Sequence, residues 1–143
     1  MTKQYCTFYL NGHSFGVPVS EVQEVIRYLE MTRVPLVPDV VRGLINLRGQ
    51  IVTAIDLRRR LRMPERPADQ MPMNVVIRTG DGAVSFLVDE IGDVLEVDEA
   101  ALEPPPPTLQ GTARELLRGV NKLDGRLLLI LDTERTVLGL DAS

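Results

Sequence analysis

Apolar and polar residues alternate from Gln4 to Val19. Cys6, Phe8 and Leu10 fall on one parity and Tyr5, Thr7 and Tyr9 on the other, the period of two that sends side chains to opposite faces of a strand. Asn11-Gly12 is the dipeptide best suited to a tight hairpin turn, and Phe15, Val17 and Val19 resume the alternation. The segment is therefore a predicted β-hairpin. Pro18 has no N–H to give to a ladder, which confines it to an edge or a strand end.

A short helix is expected next. Ser20 and Gln23 have the form of a capping box, and Val22, Val25, Ile26 and Leu29 would share one helical face. Pro35 and Pro38 make Arg33 to Pro38 extended or turn-like, and Asp39 could cap one more helical turn ending at Gly43. Gln50 to Leu57 reads as a strand, and Met63 to Met73, broken by three prolines, as a linker. A strand opens at Val75-Val76-Ile77, turns at Asp81-Gly82 and returns from Val84 to Val88. Pro104 to Pro107 forms a stiff, extended bridge, and Thr112 to Leu117 looks helical, stopping before Gly119. Leu127 to Leu131 is wholly apolar but too short for a helix, so it reads as a strand.

The chain also repeats itself. Arg42 to Gly49 aligns with Arg118 to Gly125 at an offset of 76 residues, and six of the twenty positions from Arg42 to Leu61 are identical to their counterparts. Val19 to Val25 meets Val88 to Val94 at an offset of 69. Two related β-rich units follow, about 1–70 and 71–143, each too small to bury much core alone. Closed barrels would remove their exposed edges. Gly43 and Gly49 are expected to bound a compact turn presenting Leu47 and Arg48, with at least one glycine at positive φ.

Composition narrows the function. The 143 residues carry 16 basic and 20 acidic side chains for a formal charge of -4, which argues against general nucleic-acid binding. One cysteine and one histidine leave little for a disulfide, a transition metal or nucleophilic catalysis. Met1 to Tyr5 lacks the apolar stretch of a signal peptide, and no run is long enough to span a membrane, so a cytoplasmic protein is expected. His13 is expected on a surface turn and Cys6 in the core. The acidic residues from Asp89 to Glu99 are expected on solvated faces, and so is the run Arg58-Arg59-Arg60. Arg48, beside a turn glycine, would either pair with a carboxylate or reach a partner.

Phe15-Gly16-Val17-Pro18-Val19, Val22-Gln23-Glu24-Val25, Pro35, Gly43 to Gly49 with its Asn-Leu-Arg-Gly core, and Ile55-Asp56-Leu57-Arg58 together resemble the CheW family of chemotaxis coupling proteins. The resemblance covers nearly the whole chain. It implies an all-β CheW-like fold of two five-stranded barrels of the Src-homology-3 type, packed around a shared hydrophobic core with short helices, allowing for strand exchange between the units. It implies no catalysis and no cofactor or metal. The implied partners are the cytoplasmic tip of a methyl-accepting chemoreceptor and the regulatory domain of the CheA histidine kinase, with no nucleic acid and no membrane insertion. The implied place is the cytoplasm, at receptor arrays on the inner membrane.

Carried over residue by residue, the receptor-binding positions are Val22, Glu24, Gly43, Val75 and Val76, and the receptor site is expected to be an apolar groove around Val22, Val25, Val75 and Val76, rimmed by Glu24, Arg42 and Arg48. Asn46, Leu47, Arg48, Gly49 and Asp56 form the structural motif, with Arg48 expected to pair with Glu24 across a groove between the units. A scaffold of a non-flagellar pathway (twitching or gliding motility) and a ligand-sensing domain are the alternatives.

Overall fold

In the computed structural model, residues 1–80, 82–109 and 111–138 are described, and among them ten strands build two sheets. In chain order the strands are β1 (Thr2–Leu10), β2 (His13–Pro18), β3 (Val22–Ile26), β4 (Val41–Leu47), β5 (Gln50–Asp56), β6 (Met73–Thr79), β7 (Gly82–Val88), β8 (Glu90–Asp98), β9 (Leu117–Leu123) and β10 (Arg126–Leu131). Three short helices join them, α1 (Leu57–Arg60), α2 (Thr112–Glu115) and α3 (Thr133–Val137). Sheet 1 runs β3-β6-β7-β5-β4 and sheet 2 runs β8-β1-β2-β10-β9. The two orders match position for position, with β1–β2 standing in sheet 2 where β6–β7 stand in sheet 1. Each half of the chain thus lends its first hairpin to the sheet completed by the other half.

The repeat has a physical content at each shared residue. Asp56 accepts hydrogen bonds from the N–H groups of Arg58 and Arg59 at the start of α1, and Asp132 accepts one from Arg135 N–H at the start of α3. Both are N-caps that satisfy otherwise orphaned donors. Arg59 and Arg135 then return toward the same carboxylates, at 4.0 and 3.8 Å. Arg42 and Arg118 are the extra residues of two equivalent bulges, opposite β5 and β10.

Both sheets close by the same device. Beyond β3, Thr32 exchanges two backbone hydrogen bonds of 2.8 Å with Leu44 of β4; beyond β8, Glu103 exchanges bonds of 2.9 and 2.8 Å with Val120 of β9. The chain leaving one edge strand thereby straps across to the opposite edge. Gly43 and Gly119 sit under these straps. A Cβ at Gly43 would lie 2.6 Å from the Thr32 carbonyl oxygen, and one at Gly119 would lie 3.0 Å from that of Glu103.

Three clusters make up the core. Ile45, Leu47, Val52, Ala54, Val76 and Leu87 fill sheet 1, while Tyr5, Val97, Leu128 and Ile130 fill sheet 2. Between the sheets lies the largest cluster, which includes Phe8, Phe15, Ile55, Val75, Ile77 and Phe86, with the Phe8 and Phe15 rings stacked at 5.9 Å. Val75-Val76-Ile77 is therefore buried on both faces, the reason it reads as a continuous apolar run, whereas in β10 Leu128, Ile130 and Leu131 are buried and Leu127 is exposed.

Several expectations are corrected. Ser20 starts no helix: Val19–Glu21 is a single 3-10 turn, and Val22–Ile26 is strand β3, paired with β6. The β-branched Val22, Val25 and Ile26 suit a strand as well as a helical face, and pairing with β6 decides between them. Asp39 caps no helix, because the chain turns at Pro38–Val41 and enters β4 directly. Gly43 to Leu47 is strand rather than turn. The turn itself is Arg48-Gly49, both at positive φ (52° and 90°), the two-residue form that matches strand twist. Gly119 has no positive φ, whereas Gly125 has one of 77°.

The run Arg58-Arg59-Arg60 is not solvated. Arg58 is buried against Asp89, Arg59 binds Asp39 and Glu65, and Arg60 donates to the carbonyls of Arg135 and Thr136 at the end of α3. Asp89 is likewise buried, unlike the acidic residues that follow it. Pro105 and Pro106 fold around Arg114, whose Nη1 donates to both of their carbonyls. The expected Asp81-Gly82 turn falls partly outside the described residues; Gly82 itself belongs to β7, where it pairs with Thr79.

Candidate protein-binding site

The sequence-predicted residues gather at sheet 1, on its two edge strands and just behind them. Glu24 of β3 and Arg48, in the turn after β4, form an ion pair through Arg48 Nη2 and Glu24 Oε2. The pairing expected from the resemblance is present, but its place is different. It joins the strand at one edge of sheet 1 to the turn beside the other and does not span a groove between the sheets. Asn46 Oδ1 accepts from Gly49 N–H at 2.9 Å and fixes the turn that carries Arg48.

Arg48 is 70% exposed, so solvent and salt screen the pair, and its net worth is ~0–1 kcal/mol. Arg48→Ala should therefore lower the unfolding free energy by about 1 kcal/mol at most. A larger loss in a urea melt would show that the pair closes the sheet.

Arg42 and Asp56 pair at 3.3 Å just inside the strap. Asp56 is buried and already caps α1, so Arg42 fixes the bulge of β4 to the start of that helix. Leu47 fills the sheet 1 core. Gly43 is buried beneath the Thr32 strap, where its role is to let two backbones approach.

The expected apolar groove is only partly available. Val75 and Val76 are fully buried, Val75 in the inter-sheet core and Val76 inside sheet 1. Successive residues of a strand face opposite ways, and here both faces are packed, so neither valine presents a surface. Val22 is half-buried and Val25 is 40% exposed. The outer edge of the sheet at β3, with Glu24 between these two valines, is what remains for a partner.

A second concavity went unread in the sequence. A cleft of about 1150 Å³ opens beside β3, with walls that include Glu21, Ile77, Arg78, Arg118, Asp132 and Thr133. It contains none of the predicted site residues, but Glu21 precedes Val22 and Ile77 pairs with it in register. Thr133 Oγ1 donates to Glu21 Oε1 at 2.5 Å, and Arg78 Nη1 donates to the carbonyls of Ser20 and Val22. These contacts tie residues 20 to 22 to residues 78 and 133, which no local pattern could have joined.

Catalytic chemistry is not assembled among the described residues. Burial pushes the Cys6 thiol up, away from the reactive thiolate form. No group of three or more potential metal ligands is found there either.

The model of the CheW-like domain family matches residues 4–138. The chain belongs to the CheW-like family. It is 32% identical over 133 residues to the chemotaxis protein CheW of Klebsiella aerogenes, covering 93% of this chain and 80% of that one. With the chemotaxis protein CheW of Bacillus subtilis it shares 34% over 125 residues, covering 87% of this chain and 80% of that one. The crystal structure of the scaffolding protein TtCheW from Thermoanaerobacter tengcongensis superposes with a TM-score of 0.82 at 28% identity, covering 92% of this chain and 84% of the other. This CheW-like chain is an adaptor of chemotaxis signalling and not an enzyme. No helix among its described residues is long and apolar enough to cross a membrane.

Proposed function

We propose that the protein couples the cytoplasmic tip of a chemoreceptor to the regulatory domain of a CheA-type kinase through two separate surfaces, working in the cytoplasm at receptor arrays. The observation that carries the receptor half is the outer edge of β3, where Val25 is exposed next to Glu24 and Val22 is half-covered. Residues presented in this way suit one side of a helical hairpin, which offers apolar side chains at three- and four-residue spacing. Arg42 and Gly43 support this edge from the strap. Val75 and Val76 support it from beneath, by packing the strand that β3 pairs with.

An adaptor without chemistry transmits a signal only by holding two partners at once. Val25→Asp separates the two contacts, because Val25 is exposed enough for the fold to accept a charge there. Affinity for a receptor fragment should fall about tenfold or more as the charge is desolvated, with kinase-domain affinity unchanged. Equal loss of both affinities in the folded variant would rule out separate surfaces.

A further inference from the structure

Sheet 2 is completed by a hairpin from the other half of the chain. β1 and β2 stand between β8 and β10, with β1 pairing to β8 from Thr2 to Tyr9 and β2 to β10 from Ser14 to Gly16. Phe8 and Phe15 carry the same hairpin into the inter-sheet core. Among the described residues one segment, Val19–Glu21, joins it to everything it packs against. Its counterpart β6–β7 is joined on both sides, by the linker before Met73 and by Asp89 after Val88.

The two junctions are also held differently. Ser20 and Asp89 are equivalent positions of the repeat, at the offset of 69. Asp89 is buried and accepts from Asn11, Arg58 and Arg66. Ser20 is exposed, and its turn has neither a side-chain cap nor a buried residue. Side chains reach the turn from outside, Arg78 Nη1 donating to the Ser20 and Val22 carbonyls at 3.1 Å and Thr133 Oγ1 donating to Glu21. Pro18 and Val22 on either side are already extended, with ψ of 135° and 122°, and Val19 continues the alternation of Phe15 and Val17. Straightening three residues therefore merges β2 and β3 into one strand and carries the hairpin away from its own sheet.

We infer that a second copy of this chain is a binding partner, held by exchange of β1–β2 hairpins across the opened Val19–Glu21 turn. The fold selects that occupant. The hairpin of another copy restores each pairing with β8 and β10 in register and refills the core with the same two phenylalanines, so that only the turn and its outside contacts are lost. The halves of one chain already complete each other's sheets in this way. An exchanged pair carries two β3 edges in one particle, which raises the effective concentration toward clustered partners. The exchange itself does not depend on what β3 binds.

The test is refolding of the full chain from urea at low and high concentration, read by sedimentation velocity. The hairpin leaves the core only when the sheets open, so exchange is decided during refolding and persists afterwards. While monomer predominates, the ratio of dimer to monomer should rise about tenfold for a tenfold increase in concentration. Gln4 and Glu96 are exposed and directly paired across β1 and β8, within reach of a disulfide. Chains with Gln4→Cys and chains with Glu96→Cys, refolded together and oxidised, should yield a disulfide between the two chains at those positions by peptide mass mapping. The double variant Gln4→Cys with Glu96→Cys, oxidised first as a monomer, should stay monomeric when refolded at the higher concentration, because its hairpin is tied to its own sheet. A wild-type chain that is monomeric at every concentration would overturn the inference. So would a dimer that lacks the mixed disulfide, or a dimer of the tied variant, since each places the contact on another surface.

Discussion

Asp89→Asn should destabilise the protein by about 3–5 kcal/mol at neutral pH, the range for breaking a buried ion pair from one side. Asp89 joins β7 to β8 and is buried. It accepts from Arg58 Nε at 2.9 Å and Nη2 at 2.5 Å, from Arg66 Nε at 3.0 Å and from Asn11 N–H at 2.8 Å. Those donors come from α1 behind sheet 1, from the loop after it, and from the β1–β2 turn of sheet 2. One carboxylate therefore locks the two sheets together. Removing its charge leaves the buried guanidinium groups of Arg58 and Arg66 without the carboxylate they both bind.

The pH dependence has a definite sign. Burial pushes the Asp89 carboxyl up, but the Arg58 hydrogen bond, the Asn11 N–H and the charges of Arg66 and Arg58 outweigh it and hold the carboxyl below the usual range. A depressed folded-state pKa contributes stability above the unfolded value of about 4, and that contribution is lost as pH falls through the folded value. The gap between wild type and Asp89→Asn in urea melts should thus be full at pH 7 and narrow below about pH 4. The triple variant Arg58→Met, Arg66→Met with Asp89→Leu should recover part of the loss, since apolar side chains remove all three desolvated charges. A gap that stays constant with pH would mean that Asp89 acts through hydrogen-bond geometry and not through its charge.

Local chemistry made some of this fold legible. Asn11-Gly12 adopts φ of 49° and 82° and closes the expected hairpin, because those two residue types tolerate that backbone better than others. The repeat was legible because caps, bulges and strap glycines constrain residue type wherever they recur. The strand at Val22 was not: three β-branched residues there fit both periods, and its partner β6 lies some fifty residues away. Asp89 and Arg58 were equally hidden, since a carboxylate in an acidic stretch and an arginine in a basic run look solvated until tertiary structure brings them together. Val75 and Val76 show the limit of transferring a site by sequence match. A match places a residue in the chain, but the packing on both faces of β6 decides whether it reaches a partner.

The Gly43 strap sets up the second large effect. Gly43→Ala should cost about 2 kcal/mol, roughly the worth of two backbone hydrogen bonds, because its Cβ cannot sit 2.6 Å from the Thr32 oxygen. The obstacle is backbone, which a rotamer change cannot move aside. Thr32 must retreat from Leu44, opening the edge of sheet 1 between β3 and β4. Gly119→Ala should cost less, as its Cβ would stand 3.0 Å from the Glu103 oxygen and a shift of a few tenths of an ångström relieves it. Gly49→Ala meets no neighbour within 4 Å, so its cost is conformational only, about 1 kcal/mol from the positive φ. The order Gly43, then Gly119 and Gly49, is measurable in denaturant melts. Exchange of the Thr32 and Leu44 amide hydrogens should speed up in Gly43→Ala alone. Unchanged exchange at those two amides would show that the strap accommodates a side chain, and Gly43 would then have to be explained at the protein surface instead of beneath it.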